Sequence, residues 1–284
     1  MAQSALLGST EGFEWLRAEF ADICAIVTRR EETNFDEKTG LFFWDDAMQS
    51  GADNNAADSN LPELKSLFLS CDMNTFQWKE YSALAKIAEE LGLPFETFQQ
   101  QADSIKTALH EYLWNDELSC FDNKRRDTGA FVQCISYSNF VPLWAGLADK
   151  KMACLMIDSH LLNQDHLMTE WGARSLSKQD RAYHNANIII PYSNWSGPIW
   201  PIANYFYHCG LLNYGYKAEA KDLAERVARL ILTDLDTIGS MHESYCAETG
   251  ATLAPSSDQA PRFIEGGFIG WNLLVQDMLE AGES

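Results

Sequence analysis

Seven acidic side chains stand in loop-like stretches without nearby basic partners: Asp45, Asp46, Asp53 and Asp58, then Asp180, then Glu243 and Glu248. On a chain with 41 acidic and 21 basic residues and a formal charge of −20, such acids are ordinarily solvated surface. Two of them differ by context. Asp53 lies in Ser50-Gly-Ala-Asp-Asn54, where small neighbours leave the carboxylate uncovered, and Glu243 lies between His242 and Ser244-Tyr245, beside an aromatic. Paired carboxylates in an aromatic-lined pocket are what cleavage of a glycosidic bond requires, one protonated acid and one base. The aromatic component is Tyr192-Ser-Asn-Trp-Ser-Gly-Pro-Ile-Trp-Pro-Ile-Ala-Asn-Tyr205. Pro198 and Pro201 fix φ near the start of a helix, and Gly197 lets another group approach the backbone closely. Trp195 and Trp200 are therefore held in place. Their flat faces, with Asn and Ser alongside, suit the C–H faces and hydroxyl edges of sugar rings, while plain core is the competing reading. No GxSxG, HExxH or glycine-rich phosphate loop occurs, so the residues imply neither a metal nor a cofactor. Lone histidines such as His184 and His208 read as packing or surface residues.

The elements that must position these residues are helical. Phe13, Leu16, Phe20, Ile23 and Val27 recur at three and four and predict a first helix over 11–30. A second opens at Asp72, read as its capping residue, and ends at Gly92; a third starts at Pro94. Residues 114–137 hold the one β-like excursion. Helices over 142–147, 152–162, 198–212, 218–232 and from Trp271 complete a set of about eight, with long polar connections at 36–60, 164–191 and 241–265. Paired helices with long loops at alternate junctions imply an all-α fold of helical hairpins in one domain, residues 1–284, with the loops gathered on one face.

Composition bounds the function class. At 284 residues, 46% of them hydrophobic, the chain can bury a large core. The negative balance argues against nucleic acid and anionic membrane surfaces, leaving a small soluble substrate. Seven cysteines without CxxC or Cys/His spacing read as reduced core thiols and point to the cytoplasm. The apolar runs are too short for a membrane span, and the first residues do not read as a signal peptide.

Six stretches in order, Ser50-Gly-Ala-Asp-Asn54, Pro142-Leu-Trp-Ala-Gly146, Gly172-Ala-Arg-Ser-Leu-Ser177 with Tyr183, Asn194-Trp-Ser-Gly-Pro-Ile-Trp200 with Asn204-Tyr205, Glu243-Ser-Tyr245 with Thr249-Gly250, and Gly270-Trp271, resemble the inverting glycoside hydrolases of family 63. The likeness is to members that cleave glucosylglycerate or mannosylglycerate, and more distantly to trehalases. It covers about residues 11 to 280 and implies an (α/α)6 toroid whose loops form a sugar pocket. It also implies that Asp53 is the general acid and Glu243 the general base, that Trp44, Asn54, Tyr192, Trp195, Gly197, Trp200, Tyr245 and Trp271 line the substrate site, and that Arg174 meets a polar or anionic aglycone. Gln49 stands where many relatives have Glu, and Asn55-Ala-Ala57 replaces a common Pro-Arg; both proposed carboxylates remain.

A closed toroid has twelve helices, so about eight imply an incomplete ring, a shortened homologue or a piece of a longer product. A second reading follows, a non-catalytic carbohydrate-binding or assembly protein derived from this fold. The incomplete ring also implies a homodimer, formed through apolar stripes expected on the first and last helices, around Phe13–Val27 and Trp271–Leu279.

Overall fold

The 3.6-residue spacing of Phe13, Leu16, Phe20, Ile23 and Val27 gives a helix over Thr10–Thr33, α1, in a computed structural model that describes residues 10–188, 193–254 and 268–281. The other α-helices are α2, Cys71–Glu90; α3, Glu96–Leu113; α4, Val141–Trp144; α5, Lys150–Met156, continued by a π turn over Ile157–Leu161; α6, Pro201–Asn213; α7, Lys217–Ile238; and α8, Leu274–Ala281. Junctions alternate as expected. Residues 91–95, 145–149 and 214–216 are short turns, the first and last of them joining helices that pack on each other as hairpins, whereas 34–70, 114–140, 162–200 and 239–273 are long. The chain has the fold of the (α/α)6 toroid class, with α6 central: it packs against α4, α7 and α8.

The main core lies between these helices and the loops above them, from Leu109, Phe121 and Phe140 to Tyr207, Leu223 and Val227. A smaller cluster holds α1 to α2 and α3 through Val27, Tyr81, Leu84, Ala102 and Ile105. Leu16 joins Ile87 and Leu91, and Arg17 donates to the Leu91 carbonyl at 2.7 Å. At the other end Val275 and Met278 of α8 are buried in the main core. The first and last helices thus have neighbours along their inner sides, and the bare stripes expected of a broken ring are largely covered. Trp15 and Ile26 on α1, Leu279 on α8, and Leu232, Leu235 and Ile238 on α7 stay exposed.

Other local expectations change. β-structure is not confined to 114–137. Among the described residues, antiparallel pairs join β1 (Phe35–Asp36) to β2 (Leu41–Phe42), β3 (Phe68–Leu69) to β6 (Lys124–Arg125), β4 (Trp114–Asn115) to β5 (Cys120–Phe121), and β7 (Ser244–Tyr245) to β8 (Thr252–Leu253). Strands of two residues are too short to display a two-residue alternation. Asp72 is not the cap of α2: it is fully buried one residue inside the helix, and its Oδ1 accepts from the Trp44 indole at 3.0 Å. Helix α7 runs on to Ile238, six residues past the expected end at Leu232. All seven cysteines are free thiols, and no described helix is long and apolar enough to cross a membrane.

Burial of acids gives the interior a pH dependence. Asp122 Oδ2 accepts from Asn115 Nδ2 at 3.1 Å and Gln133 N at 2.9 Å, while Oδ1 is buried without a partner among the described residues. Burial pushes this carboxyl from 3.8 up to about 6. The folded chain therefore holds the proton more tightly than the unfolded chain, and ionisation above about 6 destabilises the fold. We expect Asp122→Asn, which keeps the acceptor and removes the charge, to stabilise by ~2 kcal/mol near pH 8, with the difference fading as pH falls from about 6 towards 4. Urea unfolding across that range checks it; a variant no more stable than the parent near pH 8 contradicts it.

Candidate active site

The turn that carries Asp53 is set by Asp46, which caps a 3-10 turn over Ala47–Ser50, and by Gly51, which leaves that turn in the left-handed region. From there three consecutive residues are tied across to distant segments. The Ser193 amide and hydroxyl both donate to Asp53 Oδ2 at 2.8 Å. Asn54 donates through Nδ2 to Asn194 Oδ1 at 3.2 Å and accepts the Trp195 amide at Oδ1. Asn55 Nδ2 donates to the Ser138 hydroxyl at 3.3 Å. Residues about 140 apart in sequence are thereby held in register.

Glu243 arrives on the third loop, immediately before β7. Tyr245 in that strand pairs with Ile199, N to O at 3.0 Å and O to N at 2.8 Å, so the hairpin is added to the segment that opens α6. Burial raises the Glu243 carboxyl above the usual range, and the negative charge of Asp53 raises it further. The two carboxyls singled out in the sequence, 190 positions apart, therefore share one electrostatic environment.

The aromatic wall is rigid, but much of it is interior. Trp195 and Trp200 stack with centroids 4.1 Å apart and planes 7° apart, and their indole N–H groups donate to Ser193 Oγ at 3.2 Å and Asn194 O at 2.9 Å. Trp271 meets Trp200 edge-on at 5.9 Å. Trp195 is 4% exposed, Trp200 1% and Tyr245 0%. All three are thus covered by the protein's own chain, and both ends of the Asn54 amide are committed within it. Trp44 and Trp271 keep some surface. Tyr192 lies outside the described residues.

Gly197 does admit a close neighbour, and that neighbour is the chain itself. Its φ is +150°, and a Cβ there would sit 2.7 Å from the His184 carbonyl oxygen and 2.9 Å from the Tyr183 ring. Arg174 is likewise internal. It donates to the carbonyls of Gln164, His166 and Met168 at 3.0 to 3.2 Å and to Glu248 Oε1 at 3.0 Å. Glu248 reads in the sequence as an acid without a partner, yet the Tyr183 hydroxyl, Arg174 and Lys178 hold its carboxylate down at about 2. Its partners are 65 to 74 residues away, so no local pattern could reveal them. Arg174, Lys178, Arg226 and Glu248 line a cavity of about 440 Å³. Among the described residues no group of three His, Cys, Asp or Glu is placed to hold a metal ion.

Comparison with known proteins follows the same direction. The family model described as the mannosylglycerate hydrolase MGH1-like glycoside hydrolase domain matches residues 14–261. Mannosylglycerate hydrolase of Rubrobacter radiotolerans is 29% identical over 147 residues, 52% of this chain and 32% of that protein. Mannosylglycerate hydrolase MGH1 of Selaginella moellendorffii is 30% identical over 138 residues, 49% of this chain and 26% of that protein. The matches thus span about a third or less of these relatives' own lengths. Among solved structures, GH63 mannosylglycerate hydrolase from Thermus thermophilus in complex with Tris and D-glycerate aligns with a TM-score of 0.72 at 17% identity, covering 95% of this chain and 72% of that one. Neutral trehalase Nth1 from Saccharomyces cerevisiae aligns at 0.58 with 21% identity, covering 78% and 39%. At these identities the structural likeness concerns the fold.

The close approach at Gly197 generates a test. Gly197→Ala should destabilise the chain by at least about 2 kcal/mol, because the methyl group meets a backbone carbonyl and an L-residue is strained at this φ. Thermal unfolding measures it; a variant that melts with the parent would show that the 183–197 contact yields freely.

Proposed function

This chain belongs to the mannosylglycerate hydrolase MGH1-like glycoside hydrolase domain family, and from that premise we propose that it hydrolyses a small α-mannoside or α-glucoside, such as mannosylglycerate or glucosylglycerate, with inversion. Asp53 is the general acid and Glu243 the general base. The observation that carries the pairing is that Glu243, half-buried, feels the charge of Asp53 across two loops far apart in sequence; which of the two is acid and which is base follows the family likeness. In this reading Glu243 takes a proton from a water on one face of the sugar. That water attacks the anomeric carbon while the bond to the aglycone oxygen breaks, and Asp53 delivers a proton to the departing oxygen. No covalent intermediate forms, and inversion of this kind calls for carboxyls about 6.5 to 9.5 Å apart to admit the water. Ser193, bonded twice to one oxygen of Asp53, fixes the acid's orientation.

Substrate contact falls to Trp44 and Trp271, the named aromatics that keep surface, and to Tyr192. Arg174 lines a cavity that suits a polar or anionic aglycone, although most of its donors serve the protein. A homodimer is part of the proposal. It draws on the exposed Trp15 and Ile26 of α1 and Leu279 of α8, with Leu232, Leu235 and Ile238 of α7.

Three measurements test the reading. Asp53→Asn and Glu243→Gln should each lower turnover of mannosylglycerate or glucosylglycerate by at least about a thousandfold, with circular dichroism unchanged. Parental rates in either variant would refute its assignment, and sugar binding without hydrolysis by the parent would favour the carbohydrate-binding alternative. Because the base must be ionised, kcat/KM should fall with acid through a pKa above the ordinary glutamate value. Light scattering at micromolar concentration should return twice the mass of one chain; a monomer would remove the dimer.

A further inference from the structure

Among the described residues no hydrogen bond or ion pair holds the Glu243 carboxylate, whose reach starts from the backbone that carries it. That backbone is pinned on both sides by one carboxylate from a different element. Asp234, on the buried side of α7 and 3% exposed, accepts at Oδ2 from the His242 amide at 2.8 Å, His242 Nδ1 at 2.8 Å and the Tyr245 hydroxyl at 3.0 Å. His242 immediately precedes Glu243, and Tyr245 follows two residues later. Holding the amide and the ring of His242 on a single atom fixes that residue's backbone and side chain together, and it requires the Nδ1–H tautomer whenever the ring is neutral. Asn272 completes the clamp by donating to the His242 carbonyl at 2.9 Å and to the Phe268 carbonyl at 3.1 Å.

The arrangement is lopsided in an informative way. All three donors converge on one oxygen, and Asp234 Oδ1 is buried without a partner among the described residues. Simple stability would favour an apolar residue here, since an unsatisfied buried carboxylate oxygen carries a penalty that packing would avoid. What an apolar residue could not do is hold both flanks of one loop glutamate to a helix. We propose that Asp234 is the positioning residue for Glu243, fixing the reach of that carboxylate by clamping His242 and Tyr245; the inference rests on reading Glu243 as the base. It touches no substrate. Its effect comes through geometry, where a displacement of about 1 Å in a reacting group can cost about a hundredfold in rate.

The test separates position from stability and from charge. With mannosylglycerate as substrate, and rates expressed per folded molecule, Asp234→Ala should lower kcat by about a hundredfold with KM nearly unchanged. Asp234→Asn, which offers an amide oxygen to the same three donors, should recover most of that loss. Hydrogen exchange supplies a readout independent of turnover: the His242 amide should exchange faster in Asp234→Ala and at close to the parental rate in Asp234→Asn. A parental kcat in folded Asp234→Ala overturns the inference, as does Asp234→Asn as slow as the alanine variant, which would assign the role to charge. Glu243→Gln run alongside keeps the two readings apart: parental turnover there overturns the base itself and this inference with it, whereas an inactive Glu243→Gln beside a fully active Asp234→Ala overturns the positioning role alone.

Discussion

Loops that enter the interior of a helical fold have no sheet to satisfy their N–H and C=O groups, and leaving those groups unpaired in an apolar setting is costly. This chain meets the constraint with buried asparagines that behave as detached pieces of backbone. Asn74 on α2 accepts the Phe42 amide at 2.8 Å and donates to the Phe42 carbonyl at 2.9 Å. Asn204 on α6 does the same for Ala173, at 2.8 and 3.0 Å. Asn123 accepts the Cys71 amide at 2.8 Å and donates to Ala57 O at 3.0 Å, joining the start of α2 to the loop after Asp53. Each such side chain supplies the two bonds that a neighbouring strand would have provided. The loops can therefore be long and irregular and still be fixed at these points.

The candidate site sits where those loops are sewn together, on the segment from Ser193 to Pro201. Its first residues hold Asp53 and Asn54, its middle is fixed by the Ser175 hydroxyl, which donates to Trp195 O at 2.8 Å and accepts the Gly197 amide at 3.2 Å, and its end pairs with Tyr245. The stacked indoles of Trp195 and Trp200 fill the space beneath. Their burial makes them part of the support for the segment that holds Asp53 and pairs with Tyr245. In the same way Arg174, desolvated at 4% exposure, is stable because carbonyls and Glu248 meet its guanidinium, so its charge is spent on loop structure.

The electrostatics of the interior follow from the same architecture. Asp72 is pushed up to about 6 by burial even though the Trp44 indole and the Met73 amide donate to it. Asp58 beside it is raised by burial and by the Asp72 charge. Asp58 belongs to the loop that carries Asp53, Asp72 to the helix that follows it, and the free energy of keeping these buried acids charged opposes folding at neutral pH. Hydrogen-bonded order in the loops and raised buried carboxyls are thus two consequences of placing polar chemistry inside a helical shell.

Much of this was written locally in the chain. Helical periodicity, Pro201 at the first turn of α6 and the alternation of short and long junctions are properties of neighbouring residues, so the sequence alone determined an all-helical hairpin fold, and Asp53 and Glu243 stood out from 41 acids by their small and aromatic neighbours. What each side chain touches was decided only by the tertiary structure. Type and rigidity suggested Trp195 and Trp200 as faces for a sugar, and the family likeness added Tyr245 and, for the aglycone, Arg174; burial depends on what folds over them, and here the protein itself does. Glu248 with Arg174, Asn54 with Trp195 and Ser193 with Asp53 are partners separated by 74 to 141 residues, and no spacing rule reaches that far. Asp234 left no signal beyond one acid on an amphipathic helix. Its role appeared only when α7 turned it inward beneath the loop that carries Glu243, because hydrogen bonding is set by distance in space and sequence fixes distance only along the chain.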